Sequence, residues 1–387
     1  MKNIFKIILS YLLISFNSYV LAEDNNNKNI LKIGVFAPLS GELKNLGQTI
    51  LYSVNLALHD IGSAKIKIYP KNYSNNKKEI SKICQEFINE EIKIIIGPLE
   101  FKSLKELNKC SGLIFLSLSN MDSDINENVI MMGINLESQL IAIQKFINKN
   151  KKKKTIILYP DNEYAKHIEK KIKLVNFKGK KIFKYSNDPE ILTSQIEKIT
   201  NYKRRKINLN SRIKKLEDSE DPKDIKELNF LKQKHTLGKV NFDSVVIIDF
   251  GSGLKSILTS LAYTDVPEEE ILILTANQWF DNSILSESSI KKFYFPSISL
   301  KNFNKFNKRF FETYNYKPNE IGILAYDSLG LIYYLWKNNI KMNSAENLNF
   351  KREIKGKIGN FQISNNKVIQ KLKIYKLEEG NFIQSKL

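Results

Sequence analysis

Apolar positions along this chain recur in two rhythms. From Leu31, short β-branched runs appear at LKIGVFA (31–37), AKIKIYP (64–70), IKIIIG (92–97), LIFLS (113–117) and NVIMMGI (128–134). Between them, apolar residues fall three or four apart: Leu51, Val54, Leu58 and Ile61 within 44–61, Ile80, Ile83 and Phe87 within 76–91, and a shorter segment at 101–110. The first rhythm predicts strands and the second amphipathic helices. Strands apolar on both faces, alternating with helices, predict a parallel sheet covered by helices. The alternation restarts after Lys149 and Lys151–Lys154, with TIILY (155–159), a helix carrying Tyr164, Ile168 and Ile172, KIFKY (181–185), VVIID (245–249), a helix over 255–263 and ILILT (271–275).

Residues 200–239 break the repeat. Rich in Lys and Arg, they predict two helices, with Ile207, Ile213 and Leu216 inward in the first and Ile225, Leu228 and Leu231 in the second. Asp221-Pro222 divides them, with proline at a helix start. Further on, 304–336 predicts two helices broken at Lys317-Pro318, and 356–376 a hairpin turning at Asn365-Asn366. No repeat of 20 to 50 residues is visible, which argues against a solenoid.

The first 22 residues carry Lys2 and Lys6, an apolar stretch from Ile7 to Phe16 and a small-residue end at Ala22. This is the pattern of a secretory signal cleaved after Ala22, and its apolar core is too short to span a bilayer. The expectation is an exported protein of the periplasm without stable membrane insertion. About 365 residues then remain, which suits two lobes and a cleft better than one core. The net charge is +20, and loss of the two leader lysines leaves 20 − 2 = +18. Nucleic acid is an expected partner for a cytosolic protein this basic, not for an exported one. The lysines are scattered among apolar positions, as on a solvated surface. Cys84 and Cys110 stand 26 apart, a spacing that matches no metal motif and leaves a disulfide or two buried thiols open.

Most catalytic chemistries lack their residues. Gly34, Gly41 and Gly47 miss the G-x-G-x-x-G spacing of a dinucleotide turn, and Gly251-Ser252-Gly253-Leu254-Lys255-Ser256 is too short for a phosphate loop. No G-x-S-x-G pentad occurs. His59, His167 and His235 lie in three separate helical patterns, without the clustering a base or a zinc site requires. No enzyme activity, cofactor or metal is expected. Polar residues do gather where strands end, which in open α/β sheets is where ligands bind. Ser40 and Gly41 follow the first strand, Pro98 and Glu100 the third, and Ser117, Ser119 and Asn120 the fourth. Each hydroxyl or amide here is also a good helix cap, so a ligand role and a capping role are both open.

The stretch IGVFAPLSGELKNLGQ (33–48) and the ordered segments IIIGPLE (94–100), FLSLSNMD (115–122), MMGINLESQ (131–139), TIILYPDNEYAK (155–166), FDSVVIIDFGSGLKSILTSLAY (242–263) and ILAYDSLGLI (323–332) resemble the type 1 periplasmic binding proteins of the leucine/isoleucine/valine-binding kind. Within that superfamily the FLSLSN loop, the basic insert and ILILTANQWFD (271–281) resemble the penicillin-binding-protein activators. The resemblance implies an α/β fold of two Rossmann-like lobes joined by about three crossovers. Its expected parts are residues 30–135 and 297–358 in lobe 1, and 136–296 (insert 200–239) and 359–387 in lobe 2. It also implies a cleft lined from the second lobe by Tyr159, Asp161 and Trp279. Expected roles are a regulator that contacts a penicillin-binding protein, in which case neutralising Lys203 to Lys206 weakens the contact, or a receptor for an amino-acid-like ligand serving an ABC transporter permease. Amino-acid-binding relatives carry small hydroxyl residues after the third strand, whereas this chain has Glu100-Phe101-Lys102, a carboxylate that would repel a ligand carboxylate unless turned away.

Overall fold

The computed structural model describes residues 30–73, 77–122, 126–176, 180–276, 279–280 and 290–385; the expected leader, 1–22, lies outside them. The first half alternates as the apolar rhythm requires: β1 (Leu31–Ala37), α1 (Lys44–Ile61), β2 (Ile66–Asn72), α2 (Lys77–Asn89), β3 (Ile94–Ile96), a short α3 (Phe101–Leu104), β4 (Ile114–Ser117) and β5 (Val129–Met131). β3, β4 and β5 are buried along their whole length, the reason their sequences show no polar face. α1 buries Ile50, Val54 and Ala57, while the expected Leu58 and Ile61 pack at the margin of that core.

The chain then builds α4 (Leu136–Lys149), β6 (Thr155–Pro160), α5 (Ala165–Val175), β7 (Lys180–Tyr185), α6 (Pro189–Ile199), α7 (Tyr202–Leu216), α8 (Pro222–Leu231), β8 (Ser244–Ile247), α9 (Gly251–Tyr263), β9 (Leu272–Thr275) and β10 (Lys292–Ser297). It ends with α10 (Leu300–Tyr314), α11 (Ile321–Lys337), β11 (Phe350–Lys355), β12 (Asn360–Ser364), β13 (Lys367–Gln370), β14 (Lys373–Glu378) and β15 (Asn381–Gln384). Two sheets result, one of order β11-β12-β13-β5-β4-β3-β1-β2 and one of order β15-β14-β10-β9-β8-β6-β7. The strands of the βα repeats pair in parallel in both sheets, and the late strands add antiparallel edges. This is the two-lobed, helix-flanked α/β architecture the pattern implies.

The chain passes between the sheets after Met131, after Ser297 and between Gln370 and Lys373. The third passage falls later than Gly359, where the sequence placed it. β12 and β13 still belong to the first sheet, because Lys367 pairs with Met131 at the end of β5. The hairpin between them turns at Asn365 and Asn366, both at positive φ, as the turn chemistry requires.

The insert is the helical pair α7 and α8, with the Asp221 side chain capping α8 by accepting from the Lys223 N–H. Its inward row matches the expected one at Leu216 and Leu231, with Ile213 and Leu228 packed against them, and differs at Ile207 and Ile225. Leu209, Leu216 and Leu231 form its core, whereas Ile207 is 64% and Ile225 44% exposed. The buried row of α7 runs Tyr202, Arg205, Leu209, Leu216, and Ile207 lies two residues from Leu209, on the opposite side of the helix. Cys84 and Cys110 form a disulfide with Cα atoms 5.6 Å apart, tying α2 to the segment before β4.

Candidate functional site

The loops after β3 and β4 meet Gln139 and Trp279 through Leu99, Leu118, Ser119 and Asn120. The loop after β1 is held by a residue that belongs to no sequence motif. Asn72, at the end of β2, accepts the Leu39 N–H at 2.7 Å and donates to Ser40 Oγ at 2.7 Å. Ser40 and Gly41 are exposed. Gly47 seats α1 on this loop: a Cβ there would lie 1.9 Å from the Pro38 carbonyl oxygen, so only glycine fits.

After β3 the Gly97-Pro98 peptide is cis. Glu100 is turned into the first lobe, where its carboxylate accepts from Tyr73 OH; that hydroxyl lies 2.5 Å from Ser103 Oγ. Burial, then the Glu100 carboxylate, pushes the Tyr73 phenol far above its ordinary range. After β4, Ser117 Oγ donates to the Pro98 carbonyl at 2.9 Å and accepts the Ser119 N–H at 3.2 Å. Ser119 Oγ in turn accepts the Met121 N–H at 3.2 Å. Local side-chain-to-backbone bonds of this kind shape turns, so Ser117 ties the loops after β3 and β4 together and Ser119 Oγ shapes its own.

Between the lobes lies a cavity of about 250 Å³, lined by Leu46, Leu99, Leu118, Ser119, Asn120, Gln139, Trp279, Glu320 and Leu324 among others. It thus brings together Ser119, Asn120 and Trp279 of the sequence-predicted set. Among the described residues, Glu320 is the one charged side chain in its lining, and no Lys or Arg is present there. A second cavity, also about 250 Å³, lies toward the second lobe and includes Asn120, Met121, Pro160, His167, Asp249 and Phe250. Asp249 accepts from Tyr185 OH at 2.5 Å and from its neighbour's Phe250 N–H at 2.8 Å, and burial pushes its carboxyl up.

Ser40, Gly41, Pro98, Glu100 and Ser117 line neither cavity, and the two predicted residues Tyr159 and Asp161 of the second lobe lie elsewhere too. Tyr159 is buried and donates to Glu169 of α5 at 2.8 Å; burial, then Glu169, raises its phenol to about 12. Asp161 pairs with Lys184 at 3.2 Å. Neither lines either of these two cavities. Asn72, Gln139 and Asp249 escaped the sequence reading because single amides and carboxylates carry no motif. Among the described residues, no group of three or more His, Cys, Asp or Glu is placed to hold a metal ion, and no helix is long and apolar enough to cross a membrane.

These features define the class: a two-lobed α/β protein with the fold of the type 1 periplasmic binding proteins, its cleft at the strand ends of both sheets. No protein-family model and no curated protein matches the sequence. Among solved structures, the C-domain of LpoA (YraM) from Haemophilus influenzae, a regulator of PBP1A, aligns with a TM-score of 0.61 at 14% identity over 92% of this chain and 99% of that one. Against full-length LpoA the chain spans 59% of the relative's length. The substrate-binding protein LivJ of Streptococcus pneumoniae, in complex with isoleucine, aligns with a TM-score of 0.55 at 17% identity over 92% and 100% of the two chains. A branched-chain amino-acid ABC transporter protein from Rhodospirillum rubrum, named as putative, gives 0.66 at 11% identity over 92% and 100%.

Proposed function

We propose that this chain is a non-catalytic protein of the periplasm that works by protein contact, as a regulator of a cell-wall synthase of the penicillin-binding-protein kind. The observation that carries the reading is the state of the cleft. Ser117 bonds the loops after β3 and β4, Ser119 Oγ accepts within its own loop, Glu100 is turned away, and among the described residues the cavity wall, with its leucines and Trp279, holds no cation. An amino acid presents a carboxylate and an ammonium group, and burying either unpaired is costly. The polar groups described in this cavity, Ser119, Asn120, Gln139, Asn319 and Glu320, include a carboxylate that could meet an ammonium group but no cation to meet a carboxylate. The LpoA fold likeness and the basic insert support the contact role.

The test has two arms on the mature protein. Immobilised chain should capture a detergent-solubilised penicillin-binding protein, and its melting temperature should not move across a panel of amino acids at millimolar concentration. A ligand present at a hundred times its Kd would add about 2.7 kcal/mol, which a melt resolves. A shift with one amino acid and no capture would overturn the reading and make the chain a transporter receptor.

A further inference from the structure

Beside the second cavity, whose lining includes His167, five ionisable side chains meet across the lobe boundary. From the first lobe come Asp122, in the loop after β4, and Lys367, at the start of β13. From the second come Glu137, in the first turn of α4, and His167 and Lys171 on α5. The Lys171 ammonium donates to Asp122 Oδ2 and lies 3.6 Å from Glu137 Oε2. Lys367 donates to Glu137 and lies 3.3 Å from the same Asp122 oxygen, and His167 Nε2 is 3.4 Å from Asp122 Oδ1. The side chains of Asp122, Lys171 and His167 are 1%, 6% and 8% exposed.

The arrangement alternates in sign around a closed ring of four, with two carboxylates and two ammonium groups each touching both opposites. Charges removed from water are tolerated when paired and hydrogen-bonded in this way. Burial alone would push the Asp122 carboxyl up; Lys171, Lys367 and His167 more than reverse this, and it sits below the usual carboxylate range. The links from Asp122 to α5 do not run along any of the three crossings, so they constrain the lobes independently of the connecting chain. Separating the lobes would pull Lys171 and His167 from Asp122 at once.

We propose that Asp122, Glu137, His167, Lys171 and Lys367 form an inter-lobe clasp that resists separation of the lobes and so limits how far the cleft opens. The inference does not depend on the identity of the partner: capture tests that reading, and inter-lobe distance tests this one. Spin labels on unnatural keto-bearing residues at Lys44 and Glu163, both exposed and at the strand-end edges of opposite lobes, report the opening by pulsed dipolar spectroscopy. The expected wild-type result is a distance distribution that does not extend beyond the separation in the structure by more than the labels themselves impose. Lys171→Met should broaden it and move it to longer distances while the circular dichroism is unchanged, and Glu137→Gln should do so to a lesser degree. A wild-type distribution with a separate population at longer distances would overturn the clasp without any variant. So would folded Glu137→Gln and Lys171→Met proteins that both keep the wild-type peak; should Lys171→Met fail to fold, the partly exposed Glu137 position decides alone.

Discussion

Arg205 offers the sharpest perturbation of the insert. It lies in the basic run 203–206 that the sequence marks as a contact surface, yet it is 5% exposed. Its guanidinium donates to the Gly238 and Thr264 carbonyls at 3.0 Å each, and to Thr236 Oγ1 and the Asp265 carbonyl at 2.7 Å each. These bonds fasten α7 to the start of the segment leading into β8 and to the turn after α9. Arg205→Met keeps the aliphatic stem and leaves four acceptors without their donor. Hydrogen bonds from a charged donor contribute roughly 1.5 to 3 kcal/mol each, but burial of the guanidinium itself offsets part of this, as the lowering of its pKa by burial indicates. A discounted value of about 1 kcal/mol per bond gives a loss of about 4 kcal/mol. The hairpin's small core of Leu209, Leu216 and Leu231 stays together, so the loss should appear as detachment of the insert, with the lobes intact. Amide exchange through 202–231 should then accelerate by roughly a thousandfold, read by mass spectrometry of peptides, while β6 and β8 keep their protection. Exchange within about tenfold of wild type would refute the anchoring role. Contact by charge is a separate matter: Lys203, Arg204 and Lys206 are exposed, and neutralising these three should weaken synthase capture without changing exchange. Neutralising all of 203–206 would confound the two effects.

Replacing Cys84 and Cys110 by serine opens a loop of 26 residues and should cost about 3.5 kcal/mol by chain entropy; an unchanged urea midpoint for the first lobe would refute this. Asp327 is buried and accepts the Lys357 and Ile358 N–H groups at 2.8 Å each, and burial raises its carboxyl to about 6. The unfolded value is near 3.9, so between the two the folded state holds the extra proton and stability falls as pH rises. Relative to Asp327→Asn, the wild type should lose about 2 kcal/mol from pH 4 to pH 6.5, and a constant difference in urea unfolding across that window would count against it. At Gly133 a Cβ would lie 2.1 Å from the Ser119 carbonyl oxygen. Gly133→Ala should therefore cost about 1 to 3 kcal/mol and shift the emission of Trp279, which shares the cavity with both residues; unaltered emission and melting would show that the loop yields freely.

The local elements were legible in the sequence because they rest on periodicity and punctuation. β1 spans the residues its apolar run predicted, Pro222 starts α8, and Asn365-Asn366 turns a hairpin. Pairing was less legible. Nothing near Lys367 announces that it pairs with Met131 more than two hundred residues earlier, so the hairpin was recognised and assigned to the wrong lobe. β10, KFYFPS, carries a proline and lacks a clean alternation, and its place between β9 and β14 follows from tertiary pairing. In the site, loop position brought Ser119, Asn120 and Trp279 together, whereas Tyr159 and Asp161 follow the partners that Glu169 and Lys184 provide. A sequence shows which groups stand at a strand's end, and packing decides which way they turn.

The interleaving of the two lobes bears on the order in which the protein can be completed. α1 lies against α11, and the Met131 edge of the first sheet is covered by β13. A growing chain thus makes β1 to β5 early but must wait for residues up to 370 before that sheet has its cover and its final edge. The second lobe waits in turn for β14. Neither lobe is a stretch that can be cut out and produced alone, and a partly made chain has no finished lobe to rest in. The first lobe is begun first and finished almost last, and until then its open edge and bare helix face are what a chaperone would have to shield.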